Sequence, residues 1–244
     1  MPDLKWLERT ELLIGKTELE RLVQTNVLIV GMGGVGSYAA EFICRAGVGT
    51  MTIVDGDVVD LTNKNRQLPA LSSTVGKGKA ALMAERLLDI NPQLQLHVVD
   101  RFQKPDDTDL LVKEGNFDYV MDCIDSISPK LFLIQAALKH GVPIISSMGA
   151  GGKTDPWKMK VGDISKTTVC PFARNLRKRL RKMGIRKGVK TVYSTAPVVD
   201  ESLKLTDGSN YKKSFYGTIS FIPPLFGLLM AAEVINTLRQ GKTS

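Results

Sequence analysis

Two hydrophobic periods alternate along the first 150 residues. Val27-Leu28-Ile29-Val30 is a short apolar run ending in glycines, the pattern of a parallel strand buried on both faces. Val35 to Arg45 has the length and spacing of a helix, with Gly47 where a C-cap falls. Met51-Thr52-Ile53-Val54 reads as the next strand, closing on Asp55. The pattern then predicts a helix over Val75 to Leu88, stopped by Asn91-Pro92, and strands at Leu94 to Val99 and Tyr119 to Met121, the latter ending at Asp122. A helix from Pro129 to His140 and a strand over Pro143-Ile144-Ile145-Ser146 complete the series. Strands alternating with helices predict an α/β, Rossmann-like fold: a mostly parallel sheet with helices on both faces.

The character changes after Gly149-Ala150-Gly151-Gly152. From Ile164 to Val199 there is no acidic residue and there are ten basic ones. Ala173, Leu176, Leu180 and Met183 recur there at helical spacing, so that face is expected to pack on the body while the arginines and lysines project outward. The segment reads as a basic crossover beside a C-terminal extension of the sheet. Residues 1–244 are expected to form one domain, with a nucleotide-binding half to residue 150 and a substrate and dimer half after it. Phe221 to Ala232 is apolar but only twelve residues long and holds Pro223, Pro224 and Gly227. It falls short of the roughly 20 residues that span a bilayer, so a buried core segment is expected and no membrane span.

Composition narrows the class. With 43% hydrophobic and 24% charged residues, disorder, collagen and a polytopic membrane protein are excluded. A formal charge of +8 favours a polyanionic partner. Cys44, Cys123 and Cys170 lie too far apart for a disulfide framework or a C-x-x-C pair, so no zinc is expected. The N-terminus has an early acid and no apolar core of a secretion signal. A cytoplasmic protein is expected.

The loop after the first strand carries the clearest chemistry. Gly31-Met32-Gly33-Gly34-Val35-Gly36-Ser37 follows a predicted strand and opens a predicted helix, the setting that a G-x-G-x-x-G pattern needs. Amides at a helix N-terminus face phosphate oxygens, and glycines keep a Cβ out of the turn and out of the ligand's path. Asp55 stands at the end of the second strand, where a carboxylate accepts hydrogen bonds from ribose hydroxyls. Together they indicate a nucleotide without saying which. The surroundings favour ATP over a nicotinamide. Asn63, Asn65, Arg66 and Gln67 in one segment, and Lys79 on the next helix, are donors that a triphosphate needs, with Arg66 and Lys79 suited to the β and γ phosphates. Asp125, in Asp122-Cys123-Ile124-Asp125-Ser126, lies beyond a strand's carboxyl end, where a carboxylate for Mg2+ is useful.

These motifs, with Arg9-x-x-x-Leu13-Ile14-Gly15 ahead of them, resemble in order and spacing the adenylating domain of the ubiquitin-activating-enzyme superfamily. The resemblance implies attack of a carboxylate on the α-phosphate of ATP. It also implies that Asp55 binds ribose, that Asn63, Arg66 and Lys79 bind phosphates and that Asp125 binds Mg2+. Arg9 would reach in from a second subunit of a homodimer. The sulfur-carrier activators of the superfamily typically carry two C-x-x-C pairs, which this chain lacks. The likeness to the threonylcarbamoyladenosine dehydratase branch runs further, through Asp122 to Ser126 with Pro129-Lys130, Gly149-Ala150-Gly151-Gly152-x-x-Asp155-Pro156, Asp163 to Thr167, Leu176-Arg177-x-x-Leu180-Arg181 and Val192 to Thr195. That branch uses ATP to cyclise a threonylcarbamoyl group on a tRNA adenosine. The basic segment then becomes a tRNA surface, with Arg174, Arg177, Lys178, Arg181 and Lys182 as candidate contacts. The resemblance further implies a cysteine-desulfurase or sulfur-acceptor partner and a monovalent cation, Na+ or K+, near the dimer contact.

Plainer readings stand beside these. His97 and His140 read as structural, which leaves no Ser-His-Asp triad or histidine metal site. Cys44 and Cys123 read as buried fillers. Cys170, before Pro171 and the cationic helix, is either a bystander or an activated thiol, and Lys130 is either a nucleotide-site cation or a surface residue. Activation of a sulfur-carrier protein, a nicotinamide oxidoreductase and a nucleotide-binding scaffold without turnover are the competing functions.

Overall fold

The computed structural model describes residues 4–205 and 214–241. The chain enters through two short helices, α1 (Glu8–Ile14) and α2 (Lys16–Val23), and then winds β1 (Asn26–Val30), α3 (Gly36–Arg45), β2 (Thr50–Val54), α4 (Lys79–Ile90) and β3 (Gln95–Val99). It continues through α5 (Pro105–Glu114), β4 (Tyr119–Asp122), α6 (Ile127–Lys139) and β5 (Ile144–Ser147). The last stretch is β6 (Met159–Asp163), α7 (Pro171–Lys182), β7 (Lys190–Ser194), a short hairpin of β8 (Leu203–Leu205) and β9 (Ser214–Tyr216), and α8 (Ile222–Gln240).

Seven strands form one sheet in the order β3-β2-β1-β4-β5-β7-β6, parallel except for β6, which pairs antiparallel with β7. The expected α/β fold is therefore present, extended at its C-terminal side by β7 and β6. The β-branched and aliphatic runs of β1, β4 and β5 are buried almost throughout because helices cover both faces. One face is closed by α3, α4 and α8, where Ile43, Met83, Phe226 and Met230 meet Ile29 and Met121. The other is closed by α5, α6 and α7, where Ile134, Leu176 and Leu180 meet Leu28 and Val120. Phe221 to Ala232 lies mostly within α8, which packs on α3; no helix among the described residues is long and apolar enough to cross a membrane.

Some expected boundaries move for identifiable reasons. The helix expected from Val75 begins only at Lys79, because the glycine-spaced stretch before it pairs back on residues 57–59: Val59 N donates to Lys77 O, Gly76 N to Val59 O, and Val58 bridges Gly78. Met183 was expected on the packed face of the basic helix. It lies past the last turn of α7 and is 39% exposed, because the chain turns away at Gly184, whose φ of +80° only glycine adopts readily.

Chain order fixes where a ligand can sit. Strands step outward from β1 to β2 to β3, and β4 then returns to the other side of β1. In sheets of this order a ligand sits at that switch point, at the carboxyl ends of the strands.

Candidate active site

The glycine loop bridges the end of β1 and the start of α3. Gly31 has φ +95°, and a Cβ there would lie 3.0 Å from Cys123 O; a Cβ on Gly36 would lie 1.6 Å from Gly31 O. Those two glycines are demanded by the turn and by its packing on the loop after β4. Gly33 is different. A Cβ on it would meet only the Gln67 side chain, at 3.6 Å, which is ordinary contact. Among the described residues the Gly33 and Gly34 amides have no protein acceptor, and they stand at the N-terminus of α3, where the helix dipole favours an anion. Gln67 Oε1 beside them is buried without a partner. A flank with room for a side chain and amides free of protein acceptors fit a phosphate-bearing ligand lying along the loop, and the orphaned Gln67 oxygen would accept from a hydroxyl or amine of that ligand rather than from its phosphates.

Asp55, at the end of β2, braces this cradle. Its Oδ2 accepts from the Met32 amide (2.6 Å) and its Oδ1 from the Asp57 amide (2.7 Å). Burial pushes its carboxyl above the usual range, and those two amides and Lys79 only partly offset the rise. Lys79 opens α4 and is buried; its Nζ pairs with Asp57 Oδ2 at 3.0 Å. The lysine thus reaches the site already held by a partly exposed carboxylate, a partner absent from the sequence reading.

The segment from Asp60 to Gln67 folds over the glycine loop. Asp60 and Asn63 form a reciprocal capping box, with Asn63 buried. Arg66 packs its Cγ and carbonyl within 3.4 Å of where a Gly34 Cβ would be, and its Nη1 donates to Thr62 O (3.0 Å) and Asn65 Oδ1 (2.8 Å). Burial lowers the pKa of its guanidinium, and the charges of Asp125 and Asp60 oppose that. Asp125 is exposed in the loop between β4 and α6. The structure therefore places Gly31, Gly33, Gly34, Gly36, Asp55, Lys79 and the segment holding Asn63, Asn65, Arg66 and Gln67 about the ends of β1 and β2, with Asp125 close enough to Arg66 for their charges to act on each other. It does not bring Arg9 to them. Arg9 is exposed on α1, with no hydrogen bond or ion pair to the glycine loop, Arg66, Lys79 or Asp125 among the described residues.

The chain itself matches the model of a known family over residues 7–244. The chain belongs to the ThiF family. It is 41% identical over 242 residues to the tRNA threonylcarbamoyladenosine dehydratase of Bacillus subtilis (strain 168), covering 96% of this chain and 95% of that relative. Its backbone is similar to the crystal structure of Escherichia coli tRNA N6-threonylcarbamoyladenosine dehydratase, TcdA, in complex with ATP, at 35% identity and TM-score 0.87 over 97% of this chain and 95% of that one. The AMP complex of the same E. coli protein gives TM-score 0.89 at 34% identity, over 99% of this chain and 97% of that one.

In this ThiF-family chain the structure decides several side chains that the sequence left open. Lys130 is neither a nucleotide-site cation nor a surface residue. It is fully buried, with Nζ on Asp122 Oδ2 (2.7 Å) and Ser146 Oγ (3.1 Å), and sits 5.9 Å from the Phe172 ring centroid. Burial pushes the Asp122 carboxyl up, while Lys130, Ser146 Oγ at 2.6 Å and the Ile124 amide at 3.1 Å pull it back. Cys170 is buried at the N-cap of α7 against Gly149, so its thiol does not stand open to a substrate. His140 is a helix cap on Asp109 (3.0 Å), and Cys44 and Cys123 are buried as expected, with burial pushing the Cys44 thiol to about 12. On α7 the buried face is Ala173, Leu176 and Leu180, while Arg174, Lys178, Arg181 and Lys182 are exposed. Arg177 instead turns onto the body, donating to Thr167 O at 2.6 Å and to Thr167 Oγ1.

Proposed function

We propose that the chain is an ATP-dependent tRNA threonylcarbamoyladenosine dehydratase. The observation that carries this is a joint one: a glycine cradle whose Gly33 and Gly34 amides have no protein acceptor among the described residues, in a chain that matches a dehydratase over 96% of its length. In the reaction, a carboxylate oxygen of the threonylcarbamoyl group attacks the α-phosphorus of ATP, the bond to the bridging oxygen breaks, and pyrophosphate leaves. The carbamoyl group then attacks the acyl carbon. The acyl–oxygen bond breaks, AMP departs with the former carboxylate oxygen, and one proton passes to water. Water is lost from the nucleoside in net terms, and its oxygen leaves on AMP.

The site residues divide this work. The Gly33 and Gly34 amides and the α3 terminus hold phosphate oxygens. Asp55 has unused lone pairs for the ribose hydroxyls. Arg66 and Lys79 offset the charge that builds up as pyrophosphate leaves. Asp125 beside Arg66 is the carboxylate that would hold Mg2+, which when bound neutralises phosphate charge. Ring closure asks little more of side chains, since a well-oriented intramolecular attack gains up to ~7–11 kcal/mol from proximity.

A homodimer supports this scheme, because Leu12 and Leu13 stand 81% and 84% exposed on the helix that carries Arg9. A second copy covering that face would bring its own Arg9 across. Arg174, Lys178, Arg181 and Lys182 are exposed and suit a tRNA backbone, and a tRNA substrate accords with a cytoplasmic enzyme. All of 1–244 works as one adenylating unit, since the sheet runs from the nucleotide half into β7 and β6. A sulfur-relay partner and a monovalent cation remain implications of the resemblance, with no residue assigned to either.

The test is nucleoside mass spectrometry of tRNA carrying threonylcarbamoyladenosine after incubation with the protein, ATP and Mg2+. The expected product has lost the mass of one water, with equal amounts of AMP and pyrophosphate released. Unchanged nucleoside, together with pyrophosphate release on a sulfur-carrier protein instead, would overturn the assignment.

A further inference from the structure

The loop after β5 carries a buried lysine that none of these roles uses. Gly152 is pinned on two sides: its amide donates to Gly217 O (2.8 Å) and its carbonyl accepts from the Val199 amide (2.8 Å). The next residue, Lys153, is 2% exposed, and its Nζ donates to Ala196 O at 2.8 Å. No other hydrogen bond or ion pair holds it among the described residues. An ammonium has three donors, so two remain.

Lys153 lines an open cleft of about 490 Å³ with Asn65, Thr154, Ser202, Thr218 and Ser220, and among the described residues no carboxylate stands on that lining. The cleft adjoins the nucleotide segment through Asn65, whose Nδ2 donates to Thr218 O (2.8 Å) and whose Oδ1 accepts from Arg66. Burial holds the Lys153 ammonium below the usual lysine range, with Cys170 opposing. An ammonium kept out of water beside one carbonyl and a thiol, with no carboxylate paired to it among the described residues, is in an unfavourable state, which an arriving anion relieves.

We propose that this cleft is the acyl subsite and that Lys153 binds the carboxylate of the substrate's N-carbamoyl amino acid, holding it for attack on the α-phosphate. This deepens the dehydratase reading and rests on it. Carboxylate and phosphate repel each other, so the encounter needs a cation on the carboxylate side that the phosphate-binding residues do not supply. Once the acyl group is adenylated, the same ammonium faces the oxygen on which negative charge grows as the ring closes. The hydroxyls of Thr154, Ser202, Thr218 and Ser220 suit an acyl group that bears its own hydroxyl and carbamoyl.

The experiment compares wild type, Lys153→Met, Lys153→Arg and Thr154→Leu in the full-length protein. It measures ATP·Mg affinity, melting temperature, and pyrophosphate release with tRNA bearing threonylcarbamoyladenosine. Lys153→Met is expected to keep ATP affinity and melting temperature while kcat/KM for the modified tRNA falls on the order of 100-fold. Lys153→Arg recovers part of that loss, because the charge returns. Thr154→Leu, which crowds the rim without touching the Ala196 tether, raises KM alone. Wild-type kcat/KM in Lys153→Met, or a loss matched by equal losses of ATP affinity and melting temperature, overturns the subsite; so does an unchanged KM in Thr154→Leu. Failure of wild type itself to release pyrophosphate on modified tRNA sinks the dehydratase reading instead, so the two failures are distinct.

Discussion

Lys130 and Lys153 are both buried lysines in loops or first turns at the carboxyl ends of neighbouring strands, yet their surroundings differ in kind. Lys130 meets a carboxylate and a hydroxyl, and Asp122 in turn accepts from the Ile124 amide of the loop that carries Asp125. Every charge in that cluster is answered within the protein. Lys153 meets one backbone carbonyl, the nearby Cys170 and a cleft with no acid on its lining among the described residues. The first lysine belongs to the fold and the second is left for a ligand. The glycine loop repeats the contrast, since Gly36 is filled against by the protein's own backbone and Gly33 is not.

The largest effect that could break this comparison is at Lys130. Lys130→Met leaves Asp122 buried and unpaired and should cost about 3–5 kcal/mol in chemical denaturation, whereas the double variant with Asp122→Leu should recover most of the loss. A cost under about 1 kcal/mol for the single variant would mean that the pair is not closed by the fold. Next are the glycines. Gly36→Ala drives a methyl into Gly31 O and should destabilise by about 1–3 kcal/mol or more, whereas Gly33→Ala should leave stability unchanged and weaken ATP binding in calorimetry. Equal stability losses in the two would remove the case for a ligand along Gly33.

Lys153 sharpens the contrast through pH. Its proton affinity is lowered in the folded protein relative to the unfolded chain, so below the folded pKa the native state carries an unfavourable charge, and stability rises as pH climbs from the folded towards the unfolded value. Lys153→Met has no such charge. Denaturation midpoints should therefore show the variant matching or exceeding wild type at neutral pH, with wild type gaining on it as the solution becomes alkaline. A gap that widens in the variant's favour with rising pH would reverse the sign and contradict an uncompensated ammonium.

How much of this was legible in the chain follows from the range of the forces. The β1 run, the glycine turn and the place of Asp55 just past β2 were legible because a short apolar run, turn chemistry and a strand end are local signals. The Lys130–Asp122 pair was not, because the two are joined through the β4–α6 loop and closed by Ser146 on another strand. Lys153 was not either: nothing local in Gly151-Gly152-Lys153-Thr154 marks a buried position, and the contacts that hold the loop come from residues 199 and 217. Helices α1, α2 and α5 and strands β6, β8 and β9 also escaped the pattern, since their apolar positions are few and much of their surface is exposed.

The smallest effects separate two neighbours on α7. Arg177 and Lys178 are adjacent cations, indistinguishable by composition, but Arg177 is tied to Thr167 and Lys178 stands in solvent. Arg177→Ala should leave the Thr167 carbonyl without its donor and cost about 1 kcal/mol of stability. Lys178→Ala should leave stability alone and weaken tRNA binding equally for modified and unmodified tRNA. If Lys178 neutralises one backbone phosphate, the slope of log K against log salt should shrink by about 0.7 to 0.9, because one fewer counterion is released. A slope that moves with Arg177→Ala and stays fixed with Lys178→Ala would place the RNA on the other side of the helix and return Arg177 from the fold to the ligand.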